Sequence, residues 1–208
     1  VKKTAWGHRR LASVEDMAAL ALAHVDNDGD YHIKMHYWVP EEKVREMERR
    51  GERSYAMWHR DGLLTATPGS SIDYRSIRQH INEAAKQYTL CELAFDPWNA
   101  RQLATELSEE DGVLMVEHRQ GTVSMNEPMK KMVALMLERK LRHGGNPILR
   151  WNASNLSAYE DPSGNLRPDK ATSSGKIDGI VAAVMAISRA SLHATEGSVY
   201  ERRGLLSV

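Results

Sequence analysis

The chain has 208 residues, enough for one large domain or two small ones, and its 28 lysines and arginines balance its 28 aspartates and glutamates. A formal charge of zero argues against a strongly basic nucleic-acid binder, although a local basic face is compatible with it. The single cysteine excludes a disulfide framework and indicates a reducing, intracellular compartment. The lack of an apolar run of about 18 residues predicts no membrane span.

The N-terminal part of the chain predicts a β-hairpin. Residues 17–25 are continuously apolar, residues 26–30 give a dense turn signal, and residues 31–37 alternate between apolar and polar side chains. His32 and His36 fall on the polar side of the second strand, so we expect both to face solvent. Their separation along a strand is roughly 13 Å, which is too far for a shared metal ion.

The next stretch predicts two helices and a buried strand. Residues 41–50 form a charged, solvated helix, and residues 51–72 are expected to form a loop. Asp73 can cap a helix that runs to Tyr88, because the apolar residues between them recur at helical spacing. The apolar run Leu90–Phe95 then predicts a buried strand.

The second half of the chain continues the alternation of helices and strands. In chain order it predicts a short helix around 103–107, a strand at 113–116, a helix that begins at Pro128, a short strand at 148–151, a loop over 152–175 and a helix at 176–190. A loop of that length is often functional. The whole order predicts an α/β fold, with a central mixed β-sheet flanked by helices on both faces and the strands at 90–95 and 113–116 as parallel neighbours.

The motifs of several enzyme classes are absent from the sequence. It contains no Walker A loop, no Gly-x-Ser-x-Gly nucleophile elbow, no His-Glu-x-x-His motif and no zinc-type cysteine spacing. Cys91 lies in the middle of a predicted strand, which argues against a cysteine protease. The candidates for chemistry that remain are carboxylates.

Two aspartates stand at the ends of predicted elements. Asp96 follows the buried strand, where open α/β sheets place catalytic groups, and Asp178 lies in the first turn of the last helix. Each also has a purely structural explanation, because Asp96 before Pro97 can begin a helix and Asp178 can stabilise a helix dipole. If the two carboxylates meet, they repel unless they share cations such as Mg²⁺ or Mn²⁺. Two such ions about 3.5–4 Å apart are the standard arrangement for hydrolysis of a phosphodiester.

A series of short motifs, in order along nearly the whole chain, resembles the C-terminal nuclease domain of the large terminase subunit of tailed bacteriophages. The matching segments are Glu15-Asp16-Met17-Ala18-Ala19-Leu20, Tyr37-Trp38-Val39-Pro40, Pro68-Gly69, Asp73-Tyr74, Phe95-Asp96-Pro97-Trp98-Asn99-Ala100, Gln120-Gly121, His143-Gly144-Gly145-Asn146-Pro147, Trp151, Asn155, Gly164-Asn165, Pro168-Asp169-Lys170 and Lys176-Ile177-Asp178-Gly179. The ordered match is far more specific than any one of these motifs.

The resemblance implies an RNase H-like fold and a metal-dependent endonuclease that cuts concatemeric double-stranded DNA during genome packaging. The acidic cluster of the family maps to Asp96 and Asp178, and it implies two ions of Mg²⁺ or Mn²⁺. The implied partners are double-stranded phage DNA, the small terminase subunit, the portal protein and an ATPase domain of the same full-length chain. Residues 1–208 would then be a single nuclease domain that works in the host bacterial cytoplasm, at the portal of the procapsid.

The chain departs from the family pattern at the first acidic motif. The family usually has a strand that carries Gly-x-Asp, whereas here Arg10 takes the place of the aspartate if Leu11-Ala12-Ser13 aligns in register. Asp16 is the nearest remaining acid and the third candidate ligand, although a residue of a turn before a strand explains it equally well. If Asp16 cannot substitute, we expect at most one tightly held ion and weak cleavage, because an arginine repels cations.

Several cations are expected to flank the acids and contact phosphates. They are Arg119, Lys130, Lys131, Arg167, Lys170 and Lys176. Two other functions stay open: a non-catalytic RNase H-like module that docks DNA, the portal or a partner terminase chain, and an RNase H-like resolvase or transposase. The ordered match argues against the last.

Overall fold

A computed structural model describes residues 2–8, 17–98 and 100–202, and it places the side chains of residues 17–98 and 100–194. In chain order the elements are β1 (Lys2–His8), β2 (Ala18–Val25), β3 (Tyr31–Pro40), α1 (Glu41–Arg49), α2 (Ser54–Arg60), β4 (Thr65–Thr67), α3 (Tyr74–Gln87), β5 (Thr89–Phe95), α4 (Arg101–Glu109), β6 (Met115–Glu117), α5 (Thr122–Leu137), β7 (Leu141–Arg142), α6 (Pro147–Asn155), β8 (Ala158–Glu160), β9 (Leu166–Pro168) and α7 (Asp178–Arg202). None of the helices in these ranges is long and apolar enough to cross a membrane.

The main sheet is mixed, as predicted. Its strand order is β4-β3-β2-β1-β5-β6, and β7 also pairs with β3. The first three strands are antiparallel neighbours, whereas β1, β5 and β6 are parallel to one another. The predicted hairpin and the predicted parallel pair of strands are therefore both confirmed. The short strands β8 and β9 form a separate antiparallel hairpin.

Helices cover both faces of the sheet, because its strands bury side chains on alternate sides. In β3, Tyr31, Ile33, Met35 and Tyr37 point into a core formed with α5, α6 and α7. Trp38 points into a second core, which α3 and α4 supply with apolar residues. The helix α7 lies mainly across β1 and β2, and its residues from Ile180 to Ile187 are buried.

Four predicted elements differ in the structure, and the first two lie at residues 51–72 and around Pro128. Residues 51–72 contain α2 and β4 rather than only a loop, and a single buried residue in α2, Tyr55, left no apolar periodicity to detect. The helix expected to begin at Pro128 begins at Thr122. Pro128 is buried inside the helix, where packing compensates for the hydrogen bond that a proline cannot make.

The predicted strand at 148–151 is wrong, because those residues belong to α6. The Asn146 side chain caps that helix by accepting a 2.9 Å hydrogen bond from the Leu149 amide, and Pro147 is its first residue. The predicted loop over 152–175 contains the end of α6 and the hairpin of β8 and β9.

The prediction that His36 faces solvent is also wrong. Its ring packs against His80 of α3, with 3.9 Å between ring centroids, and its Nε2 atom is buried. The helix α3 lies over this part of the hairpin, so it covers His36, whereas Lys34 on the same side of the strand stays exposed.

Candidate functional site

The candidate site residues lie at one edge of the sheet, which we call the carboxyl edge. A row of paired residues crosses five strands there: Glu117, Phe95, Gly7, Leu20 and His36. The strands β5 and β6 end at this row. Side chains that directly follow β5 and β6 therefore lie at the same edge as the end of β3.

Asp96 lies at this edge, immediately after β5. Glu92 and Ala94 of the same strand face α7, so the alternation of a strand directs Asp96 toward α7 as well. Its Oδ1 atom accepts a 3.2 Å hydrogen bond from the Trp98 amide. Asp96 does not cap the next helix, because α4 begins at Arg101 and has Ala100 as its N-cap.

Asp178 is the first residue of α7, and only 6% of it is exposed. Its Oδ1 atom accepts a 2.7 Å hydrogen bond from Lys170 Nζ, which forms a part-buried ion pair. The next residue, Gly179, packs against the Tyr37 hydroxyl near the end of β3. Because Tyr37 directly follows His36 in the row above, Asp178 lies at the carboxyl edge together with Asp96.

The backbone around Asp178 is tightly fitted. The Gly179 amide donates a 2.6 Å hydrogen bond to Asn152 Oδ1 in α6. A Cβ atom at position 179 would lie 2.5 Å from the same oxygen and would also strike the Tyr37 hydroxyl. Only glycine fits here, which explains the Asp178-Gly179 pair in the sequence. The register of Asp178 is thus set by α6 and β3.

Two buried donors beside Asp178 are unused within the part of the chain that the structure describes. They are the Tyr37 hydroxyl and the Asn152 Nδ2 group. Burial, and then the negative charge of Asp178, raises the pKa of Tyr37, so the hydroxyl keeps its proton. Unsatisfied buried donors of this kind mark a place where water or a ligand atom can be held.

His118 is a third polar group near Asp96, and the sequence analysis missed it. It follows β6, its amide donates to the Phe95 carbonyl at 2.8 Å, and only 8% of it is exposed. Its Nε2 atom lies 3.4 Å from the Ser188 hydroxyl of α7. Burial lowers the pKa of His118, and the Asp96 charge only partly opposes this shift, so the ring is neutral at pH 7. The pairing of β5 with β6 was the signal that could have revealed it.

The predicted cations are spread over the molecule. Lys170 pairs with Asp178, Lys176 lies two residues before Asp178, and Arg119 follows β6 as an exposed side chain. These three lie at or next to the carboxyl edge. Asp178 neutralises Lys170, whereas Arg119 is exposed to solvent.

The other three cations interact with groups other than the two acids. Arg167 in β9 stacks over the Tyr159 ring at 4.6 Å. Lys130 is exposed on α5, and its charge helps to lower the pKa of Asp161 in the β8–β9 turn. Lys131 lies over the Tyr31 ring, at the opposite end of β3 from Tyr37.

The acids in the described part of the chain do not form a cluster of three metal-binding side chains. Asp16 and Arg10, which bear on the third ligand, lie outside the described residues. Asp96 and Asp178 supply hard carboxylate oxygens, which suit a divalent cation such as Mg²⁺. Two carboxylates, one of them already paired with a lysine, are a small donor set for two ions.

Solved structures show the same fold. The crystal structure of the HK97 bacteriophage large terminase matches with a TM-score of 0.81 and 32% sequence identity, over 90% of this chain and 39% of that chain. The large terminase nuclease from thermophilic phage G20c matches with a TM-score of 0.52 and 12% identity, over 91% and 81% of the two chains. The predicted RNase H-like fold is thereby confirmed.

Sequence comparisons also match a large terminase subunit. The large terminase subunit of Enterobacteria phage HK97 is 33% identical over 187 residues, which are 89% of this chain and 37% of that protein. Protein YmfN of Escherichia coli is 32% identical over 197 residues, which are 91% of this chain and 43% of that protein. The chain therefore spans less than half the length of either relative. The family model for the terminase large subunit, endonuclease domain, matches residues 3–194, so this chain belongs to the family of terminase large-subunit endonuclease domains.

Proposed function

We propose that this chain is a metal-dependent endonuclease domain that cuts concatemeric double-stranded DNA during the packaging of a phage genome. The observation that carries the proposal is the placement of Asp96 and Asp178 at the same edge of the sheet, in a terminase nuclease fold. The family and the HK97 relative support the nuclease class. A crystal structure of the G20c nuclease contains bound magnesium, which supports a divalent cation as the cofactor.

Asp96 and Asp178 are the residues that would hold Mg²⁺ or Mn²⁺. Such an ion polarises the scissile phosphate and lowers the pKa of a bound water, which makes the water a nucleophile at neutral pH. We propose one tightly held ion for the two described carboxylates. A second ion needs a third ligand, for which Asp16 is the candidate.

The other residues of the edge position these carboxylates and the DNA. Asn152 fixes Gly179 and so holds the start of α7 in place. Lys170 balances the charge of Asp178 in a site with little solvent exposure. Arg119 and Lys176 would contact phosphates of the DNA near the one that is cut. His118, which is neutral, can accept a proton close to Asp96.

The wider assembly is proposed from the family alone. Residues 1–208 act as a single nuclease domain of a longer chain that also carries an ATPase domain. The small terminase subunit and the portal protein are its proposed partners, and the host bacterial cytoplasm, at the procapsid portal, is its proposed location.

A second function is favoured by one specific observation. The ion pair of Lys170 with Asp178 leaves Asp178 less able to attract a cation. A domain that binds DNA or the portal without cutting needs no metal ion at Asp178, so the ion pair with Lys170 would not impair it.

Cleavage of supercoiled plasmid, with and without Mn²⁺, separates the two functions. We expect weak Mn²⁺-dependent nicking that Asp96→Asn or Asp178→Asn abolishes, because either change removes a carboxylate charge. Arg10→Asp should increase the rate by restoring an acid and removing a positive charge. DNA binding without any cleavage, in the unaltered chain and in Arg10→Asp, would favour the docking function. Robust cleavage that survives Asp96→Asn would show that the site lies elsewhere.

A further inference from the structure

Two exposed apolar side chains lie at the carboxyl edge. Trp98 is 81% exposed and Val123 is 98% exposed, which are the two largest values among the big apolar side chains that the structure describes. Trp98 follows β5 by three residues, and Val123 follows β6 by six. Since β5 and β6 are parallel neighbours that end at the same row, the two side chains lie at the edge that holds Asp96.

The backbone of Trp98 is tied to the candidate site. Its amide donates a 3.2 Å hydrogen bond to Asp96 Oδ1, so the backbone of Trp98 lies close to that carboxylate. A large aromatic ring exposed to water beside a candidate site points to a binding partner. The partner must fit within reach of Asp96.

Each of the two apolar side chains has an exposed arginine a few residues away along the chain. Arg101, at the start of α4, is 75% exposed and lies 3.8 Å from Glu117 at the end of β6. Arg119 is exposed on the segment that joins β6 to Val123. An aromatic ring flanked by arginines suits a nucleic acid, because bases stack on the ring while phosphates meet the guanidinium groups. A purely apolar protein partner would not need the two charges.

We infer that Trp98, Val123, Arg101 and Arg119 form a DNA-contacting ridge, in which Trp98 stacks on a base next to the phosphate that is cut. The inference rests on the proposed function, because it takes the scissile phosphate to lie at Asp96. A base lies within a side-chain length of its own phosphate, so Trp98 can reach it only if the DNA is locally unstacked. Apolar wedges at kinked base steps work in this way. The ridge would therefore prefer DNA that is distorted or opened at the cut.

The test is binding of DNA without cleavage, with Ca²⁺ in place of Mg²⁺. Three fluorescent oligonucleotide probes are used: a full duplex, a duplex with a short mismatched bubble, and a single strand. For Trp98→Ala we expect a loss of affinity on the order of tenfold for the bubble duplex, and Trp98→Phe should keep most of it. In the unaltered chain, 2-aminopurine placed in the bubble should change its fluorescence on binding, and Trp98→Ala should abolish that change.

Leu137→Ala is the matched control. Leu137 is 80% exposed like Trp98, but it ends α5 just before β7, which pairs with the far end of β3. It should bind every probe like the unaltered chain. Equal affinities for Trp98→Ala and the unaltered chain would overturn the ridge and leave the proposed function standing. Failure of the unaltered chain to bind any probe would overturn both.

Discussion

Lys170 and Asp178 form a part-buried ion pair at the proposed metal site. The lysine donates to the carboxylate at 2.7 Å in a part-buried setting, so it occupies one of the lone-pair positions that a metal ion needs. A buried carboxylate without a counter-ion is costly, which explains why a lysine pairs with Asp178. A divalent ion bound at the proposed site would compete with the lysine ammonium for the negative charge of Asp178.

Replacement of the lysine should therefore strengthen metal binding. We expect Lys170→Met to lower the dissociation constant for Mn²⁺ several-fold, because the competing charge is removed. Isothermal titration or electron paramagnetic resonance of Mn²⁺ measures this without any need for cleavage. Lys130→Met, on the exposed side of α5, is the matched control and should bind Mn²⁺ unchanged. Weaker Mn²⁺ binding by Lys170→Met would mean that the lysine supports the metal site instead of competing with the ion.

Gly179 is the second residue whose replacement has a defined outcome. A methyl group there would lie 2.5 Å from Asn152 Oδ1, so Gly179→Ala should reduce the free energy of unfolding by about 1–3 kcal/mol through overpacking. Urea unfolding measures the change. Gly121→Ser is the control, because nothing lies within 4 Å of a Cβ at that position and serine suits the N-cap of α5. Equal losses in the two variants would show that the fit at Gly179 is loose.

The sequence alone predicted that Asp96 follows a buried strand and that Asp178 lies in the first turn of the last helix, and the structure has both positions. The sequence could not predict which residues surround Asp178. Tyr37 comes from β3, Asn152 from α6 and Lys170 from the segment after β9, and only the tertiary fold brings them together. His118 was missed for the same reason. Its significance depends on the pairing of β5 and β6 rather than on any local motif.

At the scale of elements, the contact between β3 and α3 carries a pH dependence. Burial, together with the charges of His80 and Lys34, lowers the pKa of His36 to about 3. Burial lowers the pKa of His80 as well, and Glu83 partly opposes that shift. The folded protein therefore keeps His36 neutral at pH values where an unfolded chain protonates it. The stabilisation is complete above pH 6.5 and is lost progressively as the pH falls toward 3.

We expect the free energy of unfolding to fall by on the order of 1–2 kcal/mol between pH 7 and pH 5 because of His36. His36→Leu should flatten this part of the curve, since the leucine has no proton to gain. Urea unfolding at several pH values measures the slope for both chains. His32→Leu is the comparison variant, because His32 lies on the same strand but next to Asp26. Parallel slopes for the unaltered chain and His36→Leu would rule out this origin of the pH dependence.

Element types with strong periodicity were predicted well, and short or irregular ones were not. The hairpin, α1, α3 and β5 match the predicted positions within a few residues. The helix α6 was taken for a strand because its apolar start is short, although Asn146 and Pro147 form a helix-start signal that outweighs it. Tertiary burial likewise lets α5 continue through Pro128.

At the scale of the whole molecule, the charge is zero overall but uneven locally. DNA binding should depend on the cations at the carboxyl edge and fall with added salt, because each phosphate contact releases counter-ions. Arg119→Ala combined with Lys176→Ala should reduce the slope of log K against log salt by roughly 2 units. Lys131→Ala, at the far end of β3, should leave the slope unchanged. If Lys131→Ala reduced the salt slope as much as the double variant, DNA would not approach by the carboxyl edge.

The proposed nuclease function requires that Asp96 and Asp178 hold a divalent cation together. The most direct test is a titration of Mn²⁺ into the unaltered chain, Asp96→Asn, Asp178→Asn and a control, Asp61→Asn, whose carboxylate is exposed at the end of α2. We predict one tight site in the unaltered chain and in Asp61→Asn, and its loss in each of the other two variants. A tight site that persists in both Asp96→Asn and Asp178→Asn would contradict the account.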